Sequence, residues 1–129
     1  MAWKKLSARA GNLRTGRPAL GIQKNGRVTW NWGLHEALGR PEWVELLFDG
    51  EAMLLGIRGS TSPDSGLEVR KASNQETWGV SALAMLRSGA PYLAVSSAFR
   101  KVAHDLGDGI WGISVEELAK EWQYEPERG

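Results

Sequence analysis

The chain predicts an α+β fold made mainly of antiparallel β-hairpins with two or three short helices, and three observations carry that expectation. Asn25-Gly26, Asp49-Gly50 and Asp108-Gly109 each stand between apolar, strand-like runs, where a type I′ turn asks for positive φ at its central residues. Asn31 and Ser81 each open a short helical segment that closes on glycine and then proline. The 129 residues, 42% hydrophobic and 24% charged, are enough for one core and lie well away from the composition of disordered chains.

Taken in order, residues 1–18 form a basic N-terminal arm. The first half, 19–58, begins with a hairpin that pairs 19–24 with 27–30. Asn31 then caps a helix running to Leu38, Gly39 supplies a positive-φ stop, and Pro41 follows because proline cannot continue a helix. A second hairpin pairs 43–48 with 51–58. Residues 59–66, Gly-Ser-Thr-Ser-Pro-Asp-Ser-Gly, are turn-forming throughout and predict an exposed connection too short to separate two domains. In the second half, 67–129, Ser81 caps a helix over 82–87 with Gly89 and Pro91 beyond it, and a third hairpin pairs 98–104 with 109–115. Ser114 and Glu117 form a capping box for a last helix, 115–122, whose Val115, Leu118 and Trp122 fall on one face. The whole of 1–129 reads as a single domain.

Asn31, Gly39 and Pro41 match Ser81, Gly89 and Pro91 at an offset of 50 residues. The offset predicts an internal duplication in which 28–38 and 78–88 superpose as strand plus helix about a pseudo-twofold axis.

Composition removes several classes of function. With no cysteine there is neither a disulfide framework nor a thiolate zinc site, which points to a reducing compartment. Met1-Ala2-Trp3-Lys4-Lys5-Leu6 contains no apolar h-region, and no run of about 18 apolar residues occurs, so a cytoplasmic protein that does not engage a membrane is expected. Charge is unevenly spread. Residues 1–34 carry Lys4, Lys5, Arg9, Arg14, Arg17, Lys24 and Arg27 with no acid, whereas the rest of the chain holds nine basic and fifteen acidic side chains. An acid-free arm of this kind suits a polyanion.

Catalytic and cofactor motifs are lacking. Gly107-Asp108-Gly109-Ile110-Trp111-Gly112 spells G-x-G-x-x-G, yet it lies within an expected hairpin and lacks the directly following helix that the dinucleotide fingerprint needs, and the glycines read as a hairpin turn followed by a place of close backbone packing. His35 and His104 have only the adjacent Glu36 and Asp105 near them, which is no recognised ligand spacing. Ser96 and Ser97 lack the nucleophile elbow, and Glu116-Glu117 sits where acids favour a helix start. The chain is therefore expected to have no catalytic residue, metal or cofactor and to act by binding. Of its seven tryptophans, Trp30, Trp32, Trp43, Trp78 and Trp111 flank expected strands, where such residues usually pack the core; the alternative is that one or two, notably Trp3 and Trp32 beside the basic arm, are exposed stacking platforms or partner anchors.

Residues 25–58 carry a resemblance. Asn25-Gly26-Arg27-Val28-Thr29-Trp30, Leu34-His35-Glu36-Ala37-Leu38-Gly39, Val44-Glu45-Leu46-Leu47-Phe48-Asp49-Gly50 and the following 54–58 resemble a family of short, uncharacterised bacterial proteins. The same stretch is similar in order to the AbrB/MazE-like swapped-hairpin DNA-binding module, with Arg27 the best-matched position. Trp32 stands where that module has a proline, and Arg40-Pro41-Glu42 lacks its Gly-Asp step. The resemblance implies interlocked hairpins, imitated here within one polypeptide, and phosphate contacts from basic residues near the first strand. A nucleic-acid-binding, regulatory-type domain is thus the expected function, with Lys4, Lys5, Arg9, Arg14, Arg17, Lys24 and Arg27 on the phosphate backbone. The alternative is a protein-interaction module, an inhibitor or accessory subunit using exposed tryptophan and the acidic C-terminal helix. Either suits a monomer or a homodimer.

Overall fold

Alternation of apolar side chains sets the strands, and their pairing sets the architecture. The computed structural model describes residues 17–64, 66–71, 76–89, 93, 98–118 and 120, and among these the chain is α+β, with ten antiparallel strands in two sheets and three short helices. The first sheet runs β6 (Arg70–Lys71), β7 (Thr77–Ser81), β2 (Arg27–Asn31), β1 (Ala19–Ile22), β8 (Phe99–Val102); the second runs β5 (Leu67–Glu68), β3 (Trp43–Asp49), β4 (Leu54–Ser60), β10 (Ile110–Ser114), β9 (His104–Gly107).

Only Val69 separates β5 from β6, and only Ala103 separates β8 from β9. Residues 67–71 and 99–107 therefore each edge one sheet and then the other, joining the two sheets into a partly open barrel around one core in which β3 is paired on its outer side only at Trp43 and Val44. At these crossings the Val69 N–H donates to the carbonyl of Glu42 and the Ala103 N–H to that of Pro18, so neither amide is orphaned by the change of sheet. Leu20, Ile22, Val28 and Trp30 from the first sheet meet Val44, Leu55, Ile57 and Ile113 from the second in that core, all at most 2% exposed.

The turns depart from expectation in two of three hairpins. Asp108 and Gly109 both have positive φ (55° and 76°), as a type I′ turn requires, but the strands they join are 104–107 and 110–112, with a register shift at Ile110/Trp111, because 99–102 pairs with β1 and does not extend a hairpin of 98–104 with 109–115. In the first hairpin only Gly26 is left-handed (φ 79°), while Gly26 N–H donates to Gln23 and Gln23 N–H to Arg27, which describes a three-residue loop with a glycine bulge rather than a type I′ turn. In the second, Gly50 is not left-handed. The Asp49 carboxylate accepts from the N–H groups of Glu51 and Ala52, the loop widens, and the positive φ moves to Met53 (56°), so that 43–49 pairs with 54–60 and not with 51–58.

The first helix, α1 (Trp32–Ala37), keeps its expected signals: Asn31 Oδ1 accepts from Leu34 N–H, and Gly39 has φ 84°. The same Asn31 oxygen accepts from Ala19 N–H while its amide donates to the Arg17 carbonyl, tying the helix start to the start of β1. The second, α2 (Leu83–Gly89), starts later than 82 because Ser81 remains paired in β7 opposite Arg27 and Ala82 accepts the first helical bond. Gly89 stays within the helix and is not a left-handed stop. The last helix begins at Glu116, where Ser114 Oγ accepts from the Glu116 N–H. Glu117 turns to Lys101 on β8 at 2.5 Å instead of closing a capping box. Trp122 lies outside the described residues.

β2 pairs with β7 so that Thr29 faces Gly79, Trp30 faces Trp78 and Asn31 faces Thr77. An antiparallel pair so centred has a local dyad that carries residue 29 onto 79 and 31 onto 81. A second antiparallel pair between the halves, β4 with β10, sets Gly56 opposite Gly112 and Leu55 opposite Ile113.

The two left-handed turn glycines differ in their surroundings. A β-carbon on Gly26 would lie 2.6 Å from the Leu83 Cα of α2, whereas one on Gly109 would meet nothing nearer than Arg58 at 3.9 Å. Gly109→Ala should then cost only the conformational penalty of about 1–2 kcal/mol, and Gly26→Ala a further 1 kcal/mol or more of overpacking. Urea denaturation of the two variants checks the order; equal losses would refute this account of the first turn.

Candidate nucleic-acid interface

The outward face of the first sheet is assembled from five strands by register alone. Arg70 lies opposite Gly79, Gly79 opposite Thr29, Thr29 opposite Gly21, and Gly21 opposite Arg100. With strands about 4.8 Å apart, this row spans about 19 Å and carries an arginine at each end. The glycines are what let long side chains lie flat on it. A β-carbon at Gly79 would sit 2.7 Å from the Arg27 Nε, and one at Gly21 would touch Arg100 Cβ and Cγ at 3.3 and 3.4 Å. Arg27 uses that space to cross β7 and donate from Nη2 to the Arg70 carbonyl at 3.2 Å.

No carboxylate projects from this face among the described residues, where Ser81, Thr77 and Asn31 are the other polar groups. At its margin Glu68 pairs with Arg70 at 3.1 Å, and both side chains are more than half exposed, so that bond is weak and readily exchanged. Lys24 is exposed in the turn between β1 and β2, and Arg17 is exposed just before β1. Of the residues expected on phosphate, Arg17, Lys24 and Arg27 are thus brought to this sheet. Lys4, Lys5, Arg9 and Arg14 lie outside the described residues, as does Trp3.

Arg70 and Arg100 complete the patch and were not expected from sequence. Nothing local marks them, since each owes its place to a strand neighbour far away along the chain.

Beneath the sheet the opposite faces of β2 and β7 carry an aromatic cluster. Trp30 Nε1 donates to His35 Nδ1 at 3.1 Å, and the imidazole stacks on Trp78 with centroids 4.1 Å apart and planes 9° off parallel. An Nδ1 that accepts a bond places the proton of neutral His35 on Nε2. Trp32 leans on both Trp78 and His35, and the Arg40 guanidinium lies 5.2 Å over its ring. Trp32 is therefore a half-buried packing residue, and a base stacking there would compete with Arg40. Trp30 and Trp78 are buried, and Trp111 packs against the core.

A second concavity, about 680 Å³, is lined by Arg40, Trp43, Arg58, Ser60 and Thr61, but its arginines already pair with Glu36 at 2.6 Å and Glu45 at 3.0 Å. No group of three or more histidine, aspartate and glutamate side chains among the described residues could hold a metal. No helix among them is long and apolar enough to cross a membrane. No protein-family model, curated protein or solved structure matches the chain.

Burial holds the His35 pKa below 6.5, with Arg40 and Lys71 pushing the same way and Glu36 opposing them. The unfolded chain then binds a proton at a higher pH than the folded one. Stability is complete above 6.5 and falls as pH drops through that value towards the folded pKa. Thermal melts from pH 8 to pH 5 should show the midpoint falling on acidification, and His35→Gln, whose oxygen can still accept from Trp30, should flatten the profile. An unchanged profile in that variant would remove His35 as the cause.

Proposed function

We propose that the chain is a non-catalytic, nucleic-acid-binding domain of regulatory type that grips the phosphate backbone with the outward face of its first sheet and its basic arm. One observation carries the reading: Arg27, Arg70 and Arg100 share one glycine-paved face on which Glu68, paired with Arg70 at the margin, is the one carboxylate beside them among the described residues, with Lys24 and Arg17 nearby. Arginine offers several donors in a fixed fork that matches phosphate oxygens, and the glycines let Arg27 and Arg100 lie along the sheet. Lys4, Lys5, Arg9 and Arg14 add charge from the arm. Contacts of this kind position a nucleic acid without reading its bases, so sequence preference is weak.

We also propose that the halves arose by duplication. Supporting it, the 50-residue offset of the Asn/Ser, Gly and Pro positions equals the offset between Thr29 and Gly79 at the centre of the β2–β7 pair. A single chain would then present what an interlocked hairpin pair presents, and it would bind as a monomer.

Titration with short DNA and RNA at increasing salt tests the main proposal. Affinity should fall log-linearly, with a slope of about one per phosphate contact. Arg27→Glu combined with Arg100→Glu should lower affinity by about tenfold or more and reduce the slope by about two, with the fold retained by circular dichroism. Absence of binding at tens of micromolar protein in low salt would defeat the proposal.

A further inference from the structure

The outward face of the second sheet is paved in the same way and covered by the opposite chemistry. Leu47 lies opposite Gly56, Gly56 opposite Gly112, and Gly112 opposite His104. A β-carbon at Gly56 would meet Ile110 Cγ2 at 2.8 Å, and one at Gly112 would meet Leu106 Cδ1 at 2.7 Å. Aliphatic side chains occupy here the space that arginines occupy on the first sheet. Together with Leu47, Phe48 and Leu54, they line a trough of about 750 Å³. Phe48 and Leu106 are 38% and 44% exposed, more contact with water than isolated large apolar side chains need explain, and they lie on one continuous patch.

The charge at the trough has one sign. Asp49 and Glu51 are its charged lining residues, and Asp49 is held at the rim because its carboxylate accepts from the N–H groups of Glu51 and Ala52. The floor of the trough is built of strands paired with one another, β3 with β4, β4 with β10 and β10 with β9, so a ligand lying on it is held through side chains, whereas an added strand would have to use the outer edge of β9 or of β3 beyond Val44.

We infer that this trough is a docking surface for a basic, amphipathic helical segment of a partner protein, its apolar face on Leu47, Leu54, Leu106 and Ile110 and its lysines or arginines on Asp49 and Glu51. The charge decides the occupant. A second copy presenting the same face would bring the two acids into its interface without cations to meet them, and a nucleic acid would be repelled by them. A cationic amphipathic helix satisfies both the apolar floor and the acidic rim.

The test uses the full chain and two dye-labelled peptides of about 14 residues, the length at which isolated helices become feasible. Both carry leucine at i, i+3, i+4 and i+7; one has lysine on its polar face and the other glutamate. The lysine peptide should bind at micromolar concentration and about tenfold or more tighter than the glutamate peptide. Leu106→Asp and Glu51→Lys, both at exposed positions, should each weaken it by a similar factor while leaving the melting temperature and the nucleic-acid titration unchanged. The inference is overturned if neither peptide binds, if the two bind equally, or if the variants bind as the parent does. It is overturned equally if the parent is a dimer that Leu106→Asp converts to a monomer, which would assign the face to a second copy. Because the arginine face is read separately by the salt titration, either result can fail without the other.

Discussion

The rung in which Trp30 faces Trp78 is the joint on which the rest of the barrel depends, because among the pairings that join the two halves of the chain, β2–β7, β1–β8, β3–β5 and β4–β10, it alone sets two buried indoles opposite each other. Both indoles are buried, and His35 from α1 closes over them, accepting from one and stacking on the other. A buried polar side chain is tolerable only when paired, and here the pairing also fixes the helix against the sheet. Asn31, the residue between β2 and α1, completes the arrangement by holding the start of the helix, the start of β1 and the chain at Arg17. Strand, helix and neighbouring strand are thus set by two adjacent side-chain networks.

With the inward faces committed to the core, outward chemistry is governed by glycine. Each sheet has a pair of glycines opposite or near one another on its outer face, Gly21 and Gly79 flanking Thr29 in the first, Gly56 and Gly112 directly opposed in the second. Lacking a β-carbon, they let the side chains beside them lie along the sheet instead of standing up from it. On the first sheet those side chains are arginines; on the second they are isoleucine and leucine. One geometric device therefore yields a cationic surface and an apolar one on opposite walls, which is why the two can be proposed to take different partners.

The sequence made the local features legible. Asp108-Gly109, the Asn31 cap and the Gly39 stop are each decided by the φ preference or side-chain reach of one or two residues, and each is found as expected. Gly50 and Gly89 failed for the same reason seen from the other side: the Asp49 carboxylate could satisfy a wider loop, and α2 could continue through its glycine, so a permissive residue was not compelled to use its freedom. Glu117 likewise had a better partner in Lys101 than the helix N-terminus offered.

The sequence by itself determined an α+β chain of antiparallel hairpins with a cysteine-free core and an acid-free basic beginning. Tertiary structure alone decided that Arg70 and Arg100 stand at the two ends of a row with Thr29 in its middle, that 67–71 and 99–107 each serve both sheets, and that Leu106 lies over Gly112. Turns and caps are fixed by interactions spanning a few residues, whereas a position across a sheet is fixed by strands distant in sequence, whose register no local preference encodes.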